Sequence, residues 1–70
     1  MKRKNLYKFL IDNNLTQTEV AEYLDVTKQH FSLLINGNGN PSFDLLMKFD
    51  EFCKEKNIEI NDMWELWKKF

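Results

Sequence analysis

Seventy residues, 43% of them apolar and 14% aromatic, make material for one domain around one core, although a chain this short buries only roughly 60% of the surface its unfolded form exposes. One Cys excludes an internal disulfide, no Cys/His cluster offers a metal site, and no apolar run approaches the ~20 residues of a membrane span. The net charge of −1 argues against indiscriminate polyanion binding. The basic residues are placed early, however: residues 1–40 carry five basic and four acidic side chains, residues 41–70 five and seven. The expectation is a single domain over residues 1–70. The start "MKRKNLYKFLIDNN" has too short an apolar part, broken by Lys8 and Asp12, to read as a signal peptide, so the expected location is the cytoplasm. No cofactor and no enzyme activity are expected: His30 is the only His, and Cys53 sits in an apolar pattern that suits a small core residue.

Nothing alternates over a strand's length except the very short "NIEIN", so the expected class is all-α. The first helix runs from Lys4 to Asn13, with Leu6, Phe9 and Leu10 on one face, and "DNN" breaks it. The run Lys2, Arg3, Lys4 reads either as a frayed solvated tail or as an arm. "TQTE" is a capping box that starts the second helix, in which Thr16 accepts from the Glu19 amide and Glu19 reaches back. Val20, Ala21 and Leu24 form its inward stripe. Asp25 then takes a left-handed turn position, Val26 tucks beneath the bend, and Thr27 caps a third helix from Lys28 to Asn36. "NGNGN" is a loop. Pro41 and Ser42 open a fourth helix to Lys56, with Leu45, Leu46, Phe49, Phe52 and Cys53 inward and Asp44, Asp50, Glu51 and Glu55 on a solvated face. "KNIEIN" leads to a short last helix capped by Asn61.

Two short helices joined by a tight turn form a helix-turn-helix. Phe31, Leu34 and Ile35 face inward on the second of the pair, which leaves Lys28, Gln29, Ser32 and Leu33 as one outward stripe. A helix fits the DNA major groove, and its first turn reaches base edges. Gln29 can pair with adenine N6 and N7, Lys28 with guanine or a phosphate, Thr27 and Ser32 with a base or phosphate, and Leu33 with a thymine methyl.

The stretches "LTQTEVAEYLDVTKQHFSLLING", "PSFDLLMKF" and "IEINDMWEL" together resemble the Cro and lambda-repressor-type, or XRE, helix-turn-helix family. The resemblance spans about residues 5 to 66. It implies a compact five-helix lambda-repressor-like domain whose helices 2 and 3 bind a double-stranded DNA operator, as a small phage-type repressor or Cro-like transcriptional regulator does. It implies base contacts from Thr27, Lys28, Gln29, Ser32 and Leu33. It implies phosphate contacts from Gln17 at a helix N-terminus, from Asn36, and from the backbone amides of Gly37, Asn38 and the residues on to Asn40. This sequence departs from the pattern in three ways. Asp25 replaces the usual turn Gly. The third helix has no Arg. Leu10 and Ile35 stand where many members carry an Arg and a Glu that pair between helices 1 and 3.

Two readings stand for the C-terminal aromatics: Trp64 and Trp67 close the core, or Trp64, Trp67 and Phe70 form a surface for a homodimer on DNA or for a partner regulator. The second reading carries a rival function, a protein-binding anti-repressor or co-regulator that uses the same fold to grip another regulator.

Overall fold

The computed structural model describes residues 2–70. Five helices follow in order: α1 Lys4–Asp12, α2 Gln17–Tyr23, α3 Lys28–Ile35, α4 Phe43–Glu55 and α5 Met63–Leu66; no strand occurs among the described residues. The starts are capped by side chains. Thr16 Oγ1 accepts from the Glu19 amide at 3.1 Å while Glu19 Oε1 accepts from the Thr16 amide at 3.0 Å, completing the capping box. Thr27 and Ser42 cap α3 and α4 in the same one-sided way, through the amides of His30 and Leu45. Thr16→Ala should therefore lower thermal stability by about 1 kcal/mol, read from a melting curve.

The ends of α1 to α4 share a single device. Asn14, Asp25, Gly37 and Asn57 each have φ between 55° and 87°, in the left-handed region. At each of them the next residue's amide reaches back to a carbonyl of the last turn: Leu15 to Leu10, Val26 to Ala21, Asn38 to Leu33, Ile58 to Cys53. These are Schellman caps. After three of the four, the residue that follows is apolar (Leu15, Val26, Ile58) and packs against the core. The local sequence thus stops each helix and turns the chain inward in one step.

The cap of α5 corrects the expectation for Asn61. Asp62 Oδ1, not Asn61, accepts from the Glu65 amide, at 3.3 Å. Ile60 and Met63 both pack on the core, so the turn between them begins one residue later.

The core gathers Leu6 and Leu10 of α1, Val20 and Ala21 of α2 with Leu24, the inner face of α3, and Leu45, Phe49, Phe52 and Cys53 of α4. Phe49 is its centre, stacked edge-on against Trp67 at 5.4 Å and tilted against Phe9 at 6.0 Å. Leu10 and Ile35 are both buried in this cluster, where α1 packs on α3.

Tyr23 is more than an exposed aromatic. Its ring meets Phe52 edge-on at 5.1 Å and its hydroxyl donates to the Glu55 carboxylate. That hydrogen bond, then burial, then the charges of Glu55 and Glu51 push the Tyr23 pKa up to about 12. The unfolded chain gives up this proton near pH ~10. The folded chain holds it to about 12, so the contribution is complete below the first value and is lost as pH rises to the second. Denaturant midpoints should fall across this window, and Tyr23→Phe should flatten the fall. Burial also pushes the Cys53 thiol up to about 11, a parallel alkaline loss that the Tyr23 variant retains.

Candidate nucleic-acid interface

α3 is held from behind by α2 and α1, and its inner residues Phe31, Leu34 and Ile35 are buried. On the other side Lys28, Gln29, Ser32 and Leu33 line one shallow open surface. Lys28 and Gln29 are exposed, Ser32 is half-buried, and Leu33 is 52% exposed. Thr27 stands at the start of this stripe. Its oxygen accepts from the His30 amide at 3.0 Å, which leaves the hydroxyl proton for another acceptor.

Gln17 is the first residue of α2 and is half-buried. The first amides of a helix have no partner within the helix and attract anions. Asn36, Gly37, Asn38 and Asn40 lie in the loop after α3, where Gly37 at φ 87° and Gly39 at φ 81° occupy backbone shapes that favour glycine. The expectation that every amide from Gly37 to Asn40 faces a phosphate needs correcting. The Gly37 amide donates to Leu34 and the Asn38 amide to Leu33, as parts of the helix cap. Gly39 and Asn40 donate no backbone hydrogen bond through their amides among the described residues, so those two N–H groups remain, together with side-chain donors. Asn36 uses its side-chain nitrogen on the Ser32 carbonyl at 3.0 Å and keeps one further N–H.

The loop has a support that sequence reasoning missed. Arg3 is buried at 2% exposure, so the basic start is neither a uniformly frayed tail nor an arm at this residue; Lys2 and Lys4 on either side are exposed. Nη2 of Arg3 reaches the Gly39 carbonyl and Asn40 Oδ1. The available signal was a spacing: Arg3, Leu6 and Leu10 fall three and four apart, on one face of a helix beginning just after it.

At the far end, the C-terminal aromatics separate. Trp64 is 82% exposed and Phe70 43% exposed, whereas Trp67 is 7% exposed and packs on Phe49. The proposed surface therefore loses Trp67. Met63, Leu66 and Trp67 follow the i, i+3, i+4 spacing of an inward stripe, and Trp64 falls outside it. The Phe70 amide donates to the Lys2 carbonyl at 2.9 Å, so the tail lies along the N-terminus and leaves the α3 stripe open.

Together, the capped pair α2–α3, the outward polar stripe and the donor-rich loop define a helix-turn-helix DNA-binding domain of the lambda-repressor-like type. The helix-turn-helix family model matches residues 6–59, and the chain belongs to that family, in its XRE branch of DNA-binding transcription regulators. No curated protein and no solved structure matches the chain. Among the described residues no helix is long and apolar enough to cross a membrane.

Proposed function

We propose that the chain is a sequence-specific regulator of transcription, a repressor or Cro-like protein of the small phage type, acting in the cytoplasm without catalysis or cofactor. The observation that carries this reading is the free outward stripe of Lys28, Gln29, Ser32 and Leu33 on a helix propped by its predecessor. In this reading α3 enters the major groove with Thr27, Lys28, Gln29, Ser32 and Leu33 at base edges or near them. Gln17, Asn36, Asn38 and Asn40, with the amides of Gly39 and Asn40, hold the flanking phosphates. Asn and Gln side chains carry no charge, and one domain of net charge −1 gathers little counterion-release energy. Two copies on a two-fold operator, with their α3 helices about 34 Å apart, offset that weakness. Trp64 and Phe70 are the surface for the second copy.

A second reading is favoured by two exposed apolar side chains, Leu33 in the stripe and Trp64 on α5. There the chain grips a partner regulator as an anti-repressor or co-regulator, and Trp and other large apolar groups act as interface anchors.

Selection of binding sites from random duplex DNA at two salt concentrations decides between them. Enrichment of a palindrome, with affinity falling as salt rises, is the expected result. Absence of any enriched sequence would overturn the regulator reading in favour of the second.

A further inference from the structure

The two ends of the chain, both outside residues 6–59, meet at one side chain. The Arg3 guanidinium donates through Nε to the Trp67 carbonyl at 2.9 Å, through Nη1 to the Leu34 carbonyl at 2.5 Å, and through Nη2 to the Gly39 carbonyl at 3.1 Å and Asn40 Oδ1 at 3.3 Å. Its backbone amide donates to the Ile35 carbonyl at 2.7 Å. These acceptors are all neutral oxygens. They belong to the last turn of α3, to the loop that follows it, and to Trp67, which caps the C-terminus of α5.

This arrangement suits Arg alone. The C-terminal carbonyls of a helix carry partial negative charge and want donors. A guanidinium offers five N–H groups in a rigid plane, enough to serve separated oxygens at once, whereas the Lys ammonium presents its donors from one atom. An apolar residue would leave the Trp67 carbonyl without this donor and the Leu34 carbonyl with the Gly37 amide alone. Burial without a carboxylate partner lowers the Arg3 pKa, so this charge is held here against its own desolvation.

We propose that Arg3 is a positioning residue for DNA binding, bracing the loop Asn36–Asn40 from behind against the C-terminal segment. The guanidinium has no acceptor atom, so Asn40 must turn its oxygen to it. That leaves both Nδ2 donors of Asn40 free for a phosphate. By holding the Gly39 carbonyl, Arg3 also fixes the peptide unit whose N–H belongs to Asn40. The Trp67 main chain thereby supports the DNA-facing loop without touching DNA. This inference rests on the regulator reading above and gives that reading a fixed loop geometry.

The test compares wild-type protein with Arg3→Lys, which keeps the charge and removes the fork, on a duplex recovered by selection. With the variant folded at the assay temperature, affinity should fall by about tenfold or more, as for loss of charge-assisted hydrogen bonds. The slope of log affinity against log salt should stay the same, because the charge is kept and the donors of the loop are neutral. The preferred sequence should stay the same, because α3 keeps its stripe, and the Gly39 and Asn40 amide resonances should move. Unchanged affinity overturns the proposal. So does weaker binding with unmoved loop resonances, which is the mark of lost stability alone. If Arg3→Lys does not fold, wild-type protein decides. Its Arg3 Nε–H should be protected from solvent exchange and should shift on DNA binding, and an unprotected or unmoved signal overturns the proposal. Failure of the wild type to bind any duplex sinks the regulator reading and this proposal together; wild-type binding with an unaffected variant sinks this proposal alone.

Discussion

Ile35→Glu should lose about 3–5 kcal/mol of unfolding free energy, the size expected for an unpaired buried charge. Ile35 is 3% exposed at the end of α3, and Leu10, which is 2% exposed on α1, belongs to the same apolar cluster. A carboxylate there loses its water and gains no cation. Arg3, the one buried cation among the described residues, meets Ile35 through its backbone amide, but its Nε, Nη1 and Nη2 are already bonded to carbonyl oxygens. A domain of this length has only roughly 0.05–0.15 kcal/mol of stability per residue, so the variant should lose a large fraction of its stability and unfold at much lower urea than the wild type. Adding Leu10→Arg should recover part of the loss by giving the carboxylate a partner. Urea titrations of the wild type, both single variants and the double variant measure this coupling. Unchanged stability in Ile35→Glu would refute the packing of α1 on α3 described above.

Gln29→Ala should weaken operator binding by roughly 1–3 kcal/mol and relax preference at one base pair. Gln29 sits exposed in the first turn of α3, outside the buried set of that helix, so stability should hardly change. That separates it from the core variant: one loses stability, the other loses the reading of a base. A selection repeated with Gln29→Ala should return the wild-type site with a single degenerate position. An unchanged profile would remove Gln29 from the base-reading set.

Much of this architecture was legible because it is local. The capping box at Thr16, the cap at Thr27, the left-handed Asp25 with Val26 beneath it, and the opening of α4 at Ser42 are each set by residues within four or five positions of one another. The outward stripe of α3 followed from the same short-range period once Phe31, Leu34 and Ile35 were assigned inward. What escaped was long-range. Arg3 bonds to partners 31 to 64 residues away, and its spacing to Leu6 and Leu10 places it on the inward face without naming the oxygens that hold its charge. The commitment of the Gly37 and Asn38 amides to the helix cap depends on where α3 ends, which composition alone blurs by a residue or two. Trp64 and Trp67 are three residues apart, yet the first is exposed and the second buried, since a helix of four residues gives the period little room to declare itself.

The most direct trial of the central claim is a titration of isotope-labelled protein with the selected duplex, following every backbone and side-chain amide. The account predicts that the largest shifts, and contacts to major-groove base protons, fall on Thr27 to Leu33, with a second group at Gln17 and at Asn36 to Asn40. Shifts concentrated on Trp64 and Phe70, with Lys28, Gln29 and Ser32 unmoved, would contradict it.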